Sequence, residues 1–84
     1  MEFDIYTNRA KLNMLRAQYG YCKEDMLEAL KLIDNDEQTW YILARSRLLV
    51  EKFDECLKYL NEGLVKLPAS PKLVDLKKQC ESAL

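Results

Sequence analysis

The sequence predicts an all-α protein in which two helix-turn-helix repeats, residues 3–36 and 37–70, are closed by a capping helix over 71–84, the whole forming one module spanning 1–84. Three observations carry this. Sliding the chain against itself by 34 positions aligns Tyr6 with Trp40, Ala10 with Ala44, Met14 with Leu48, Leu15 with Leu49 and Tyr19 with Phe53. The register continues through Cys22 and Cys56, Met26 and Leu60, Ala29 and Gly63, Leu30 and Leu64, and Ile33 and Leu67, so that side-chain size recurs as well as polarity. Within each set the apolar residues fall three and four apart, the spacing of helices that bury one stripe. The composition agrees, since 49% hydrophobic and 32% charged residues with only two Gly and two Pro describe a folded, helix-rich chain with little left for loops.

Taken in order, the pattern predicts helices over about 2–15, 21–33, 37–50, 54–66 and 71–83. Tyr19-Gly20-Tyr21 is the expected break between the first two. Asp34-Asn35-Asp36 supplies side-chain oxygens to cap the third helix. Pro68 stops the fourth, and Ser70 before Pro71 places a capping hydroxyl ahead of a residue whose φ is already set for the first helical turn. The fifth helix sets Leu73, Leu76, Cys80 and Leu84 against Lys72, Lys77, Lys78 and Glu81, one apolar and one polar side, as a terminal cap requires.

The same composition narrows function. A formal charge of -1 with scattered cations argues against nucleic acid as the main partner, because phosphate neutralisation needs a concentrated basic surface. No segment approaches the ~20 apolar residues of a membrane span, and Met1-Glu2-Phe3-Asp4 lacks the features of a signal peptide, so a soluble, cytoplasmic protein without membrane contact is expected. Three widely spaced cysteines, Cys22, Cys56 and Cys80, suit reduced thiols, and the absence of His removes the commonest general base and zinc ligand. No nucleophile with an orienting base stands out, so an enzyme is not expected, and no cofactor or metal is implied.

The second unit reads Trp40-x2-Leu43-Ala44, then Phe53, Cys56-x3-Leu60, Gly63 and Pro68, and it resembles a tetratricopeptide repeat throughout its length. Arg47 stands where that family has an aromatic residue, Cys56 where it has Ala, and Arg9 replaces the Leu in the first unit. The resemblance implies a fragment of a helical solenoid, with Cys22 and Cys56 at the tight crossings between paired helices and Trp40 in the core. It also implies an interaction groove lined by the first helix of each unit, for which Thr7, Asn8, Lys11, Gln38, Tyr41, Ile42 and Arg45 are the candidate lining residues. Lys11 and Arg45 are 34 apart and should share one face.

Tyr6-Thr7-Asn8-Arg9-Ala10 further resembles the segment in chaperone cofactors whose repeats clamp the acidic carboxyl-terminal tails of the large cytosolic heat-shock chaperones. In that family the Asn matching Asn8 holds the terminal carboxylate, while the Lys and Arg of the next repeat are here Gln38 and Ile42, and the remaining clamp repeat has no counterpart. The expected function is therefore a protein-protein interaction module or adaptor of co-chaperone type that binds a short peptide or partner helix. The alternative is a scaffold segment that packs within a larger protein or self-associates through its first helix. Phe3, Ile5 and Leu12 do not all fit the stripe facing the second helix, and some should face the place an earlier unit would occupy.

Overall fold

A computed structural model describes residues 2–84 as five helices: α1 (Glu2–Leu15), α2 (Tyr19–Leu32), α3 (Glu37–Leu49), α4 (Phe53–Lys66) and α5 (Pro71–Ala83). The all-α expectation holds, and no helix among the described residues is long and apolar enough to cross a membrane. α1 with α2 and α3 with α4 form two helical hairpins, α5 lies against α3 and α4, and the body measures 35 × 26 × 16 Å. The starts of α2 and α4 are 34 residues apart, as are those of α3 and α5.

Local chemistry accounts for these bounds. The Asp36 carboxylate accepts from the Thr39 backbone N–H at 3.0 Å and from its hydroxyl at 2.8 Å, so α3 is capped by the predicted acidic segment. The Ser70 hydroxyl, 34 residues on, accepts from the Leu73 N–H at 3.3 Å and donates to the Glu37 carboxylate, which ties the first turn of α5 to that of α3. The first hairpin turns elsewhere than expected. α2 begins at Tyr19, so Gly20 sits inside its first turn, and the reversal falls on Ala17 at φ 59°. The second hairpin reverses in the same way at Glu51, φ 60°. At both, the following N–H reaches back to close the helix end, from Gln18 to the Asn13 carbonyl at 2.8 Å and from Lys52 to the Arg47 carbonyl at 2.9 Å.

The core runs through both hairpins. Ala10, Cys22, Met26 and Ala29 from the first join Leu43, Ala44, Cys56 and Leu60 from the second and Leu73, Leu76 and Cys80 from α5, all without solvent exposure. Trp40 is buried with them, and its indole N–H donates to the Asp34 carbonyl at 2.7 Å. Gly63 explains why a small residue is needed at that crossing: a Cβ there would stand 3.0 Å from Trp40 Cγ and 3.1 Å from Leu73 Cδ1. Leu84, assigned to the apolar side of the fifth helix, instead lies beyond its end at Ala83 and is exposed.

Arg47 is buried where an aromatic was expected. Its Nη2 donates to the Tyr19 carbonyl at 2.9 Å and its Nε to the Ser46 hydroxyl at 3.4 Å, so it bonds the end of α3 to the start of α2. Lys23 reaches across to Glu55 at 2.8 Å and Lys66 to Asp34 at 3.1 Å. The two hairpins are thus joined by polar contacts as well as by the shared core.

Candidate functional site

The face formed by α1, α3 and α5 carries the polar side chains that the core leaves unused. A cleft of 250 Å³ opens between α1 and α3, lined by Thr7, Asn8, Lys11, Gln38 and Thr39, with Asp4 and Asp36 at its edge and Met26 among its walls. Four of the seven expected residues therefore meet in one cleft. The Asp36 carboxylate is already committed to capping Thr39.

Gln38 links this cleft to a second cluster. Its Oε1 accepts from Lys72 Nζ at 2.8 Å, and the same ammonium lies 5.5 Å from the centre of the Tyr41 ring, within range of a cation–π contact. Arg45 Nη1 donates to the Tyr41 hydroxyl at 3.4 Å from one turn further along α3. Lys11, Arg45 and Lys72, one from each of the three helices, are exposed, and none has a carboxylate within 4.0 Å among the described residues. Such a group offers ammonium, guanidinium and amide N–H donors to an anion without first breaking an internal ion pair. Asp4, at the edge of the cleft, and Asp75, on α5, are exposed on the same helices.

Two expected residues are displaced from the surface. Ile42 is buried, because α3 is covered on the side turned to the first hairpin as well as on the side turned to α4; Thr39, Leu43 and Ser46 are buried with it. Thr7 is also buried, and its hydroxyl donates to the Asp4 carbonyl at 3.2 Å, so it contributes a wall of the cleft rather than a free donor. Lys11 and Arg45 are both exposed, but only Lys11 lines the 250 Å³ cleft; Arg45 belongs to the Tyr41 cluster. Lys72 was not among the expected residues. The signal for it was present, since it stands 34 residues after Gln38, the residue it touches.

The thiols take no part in this face. Cys22, Cys56 and Cys80 are free and buried. Burial, reinforced by the nearby Asp25 carboxylate, pushes the Cys22 thiol up to about 11; burial and the neighbouring Cys80 thiol push Cys56 up to about 12. Among the described residues no group of three His, Cys, Asp or Glu side chains is placed to hold a metal ion.

Comparison with known proteins adds no name to this geometry: no protein-family model matches the chain, and no curated protein matches it.

Proposed function

We propose that this chain is a protein-interaction module of the tetratricopeptide type, an adaptor that binds the acidic carboxyl-terminal end of a peptide across α1, α3 and α5. The observation that carries the reading is the set of three exposed cations without carboxylate partners among the described residues, Lys11, Arg45 and Lys72, arranged about Gln38 and Tyr41. Asn8 and Lys11 in the cleft suit a terminal carboxylate, which an amide N–H can orient while the ammonium neutralises it. Arg45 and Lys72 on either side of Tyr41 suit the acidic side chains that precede it, with the ring covering their aliphatic stems. A chaperone cofactor that takes acidic chaperone tails is the cellular role this chemistry fits best.

Calorimetric titration tests the reading with two peptides of one acidic sequence, one ending in a free carboxylate and one amidated. Binding of the free form that weakens by about tenfold on amidation, and weakens again with added salt, is expected. Equal binding of the two forms, or none, removes the proposal.

A further inference from the structure

The two hairpins are unequal in one respect that bears on assembly. Thr39, Ile42, Leu43 and Ser46 of α3 are all buried, and α3 packs against α2 of the first hairpin as well as against α4. Their counterparts 34 residues earlier are Ile5, Asn8, Arg9 and Leu12 of α1, and there Ile5 is 60% and Leu12 45% exposed. The face that covers a seam in the second hairpin is therefore open in the first. A groove of 500 Å³ runs along it, walled by Leu12 and Arg16 on the α1 side and by Tyr21 and Glu24 on the α2 side, with Tyr21 itself 62% exposed.

The middle of this face is polar where the seam is apolar. Leu43 and Tyr59 of the second hairpin correspond to Arg9 and Asp25 of the first. Arg9 places Nη2 at 2.8 Å and Nε at 3.1 Å from Asp25 Oδ1, and Asn13 Nδ2 lies 3.0 Å from Oδ2, so the buried carboxylate is fully met by this chain's own groups. Arg16 and Glu24, on opposite walls of the groove, are different: neither has an ion-pair partner among the described residues. One wall offers an unpaired cation and the other an unpaired anion, separated by apolar Leu12 and Tyr21.

We infer that this face binds a second copy of the chain about a two-fold axis, Leu12 and Tyr21 packing against their symmetry mates and Arg16 of each copy meeting Glu24 of the other. A groove with one basic and one acidic wall is its own complement under such an axis, as an isologous contact requires. The opposite end favours closure at two copies. On α5 the positions matching Ala44 and Arg47 are Lys78 and Glu81, both exposed, so the face of α5 on which a further copy would stack head to tail is charged where the corresponding face of α3 is buried. The small apolar patch and the solvated centre make the dimer weak and reversible.

Sedimentation equilibrium of the full chain from about 5 to 500 µM tests this. The parent is expected to move from monomer to dimer and no further. Leu12→Glu and Ile5→Glu, both at exposed positions, are expected to remain monomeric with unchanged helicity. Arg16→Glu is expected to weaken association by about tenfold, because symmetry counts the lost pair twice, and Glu24→Arg added to it to restore the parent value. A parent that stays monomeric at the top concentration, growth beyond the dimer, association undiminished in Leu12→Glu, or no rescue by the double charge exchange would each overturn the inference.

Discussion

Ala17 and Glu51, 34 residues apart, hold the same left-handed backbone conformation, at φ 59° and 60°, and each closes a helix end without a glycine. The hairpins therefore repeat in their backbone strain as well as in their side chains. An L-residue in this region costs about 1–2 kcal/mol, while glycine there costs only the extra entropy of its unfolded chain. Ala17→Gly and Glu51→Gly are each expected to raise stability by about 0.5 kcal/mol in urea titrations. Gly20 is the contrast: it lies in the first turn of α2 with open space where a Cβ would go, so Gly20→Ala is also expected to stabilise, by up to about 1 kcal/mol.

Gly63→Ala is expected to act in the other direction. Its added methyl meets Trp40 at 3.0 Å and Leu73 at 3.1 Å, closer than ordinary van der Waals contact with two buried side chains, so a loss of about 1–3 kcal/mol is expected as a lower urea midpoint. Trp40→Ala removes the other partner and is expected to cost about 3–5 kcal/mol, comparable with the whole stability of so small a domain. A Trp40→Ala variant melting within a few degrees of the parent would deny the indole its core role.

Acid should loosen the contact between the hairpins. The hydrogen bond from Lys23 holds the Glu55 carboxyl below its ordinary value of 4.5, with smaller help from the charges of Lys23, Arg47 and Lys52. A carboxylate depressed in the folded state contributes stability above its unfolded value, and that contribution is lost as pH falls through the folded one. Part of the fall in stability below pH 4.5 is thus expected to vanish in Glu55→Gln, as read from denaturant midpoints at a series of pH values. Parallel acid profiles for the two proteins would count against it.

The thiols should report unfolding. Cys22 and Cys56, pushed up to about 11 and about 12, present almost no thiolate at pH 8, and all three cysteines are buried away from reagent. Modification by an aromatic disulfide reagent is expected to be slow in the native protein and to accelerate in step with the unfolded fraction as urea is added. Rapid native labelling of one cysteine would mean that its helix opens locally.

The groove makes a separable prediction. Arg45→Glu and Lys72→Glu are each expected to weaken binding of a free-carboxylate acidic peptide by about tenfold while leaving the melting temperature unchanged, because both side chains are exposed. Lys31→Glu, on α2 beside Glu28, serves as the distant control and should bind as the parent does. Ile42→Glu, by contrast, is expected to unfold the chain by placing a charge in the seam.

Much of the fold was legible because short-range chemistry announces itself. Asp36 and Ser70 each put a side-chain oxygen one residue ahead of a periodic apolar run, and both cap the helices they were expected to cap. The first reversal is not legible, because Gly20 is the residue that tolerates a left-handed turn most cheaply, yet the chain turns at Ala17, and nothing in the side chains of Ala17 or Glu51 marks either as left-handed. Ile42 falls in the groove only when each helix is assigned a single buried stripe. A helix between two hairpins is covered on two sides, and a wheel drawn for α3 alone cannot show the second. Lys72 escaped notice as one lysine on a polar helix face, although its offset from Gln38 already placed it on the groove.

Arg47 has a consequence for rates. Its buried guanidinium holds the end of α3 to the start of α2, and breaking that contact would leave an unpaired charge in a dry interior. Hinging of one hairpin on the other would have to break this bond, so the tie opposes a change in the angle between α2 and α3. If the proposed peptide binds across α1, α3 and α5, a tie of this kind is expected to lower the cost of ordering the protein around it. Under that proposal, capture is expected to be quickened by the exposed cations and to slow with added salt, while residence time is set by the contacts made after arrival.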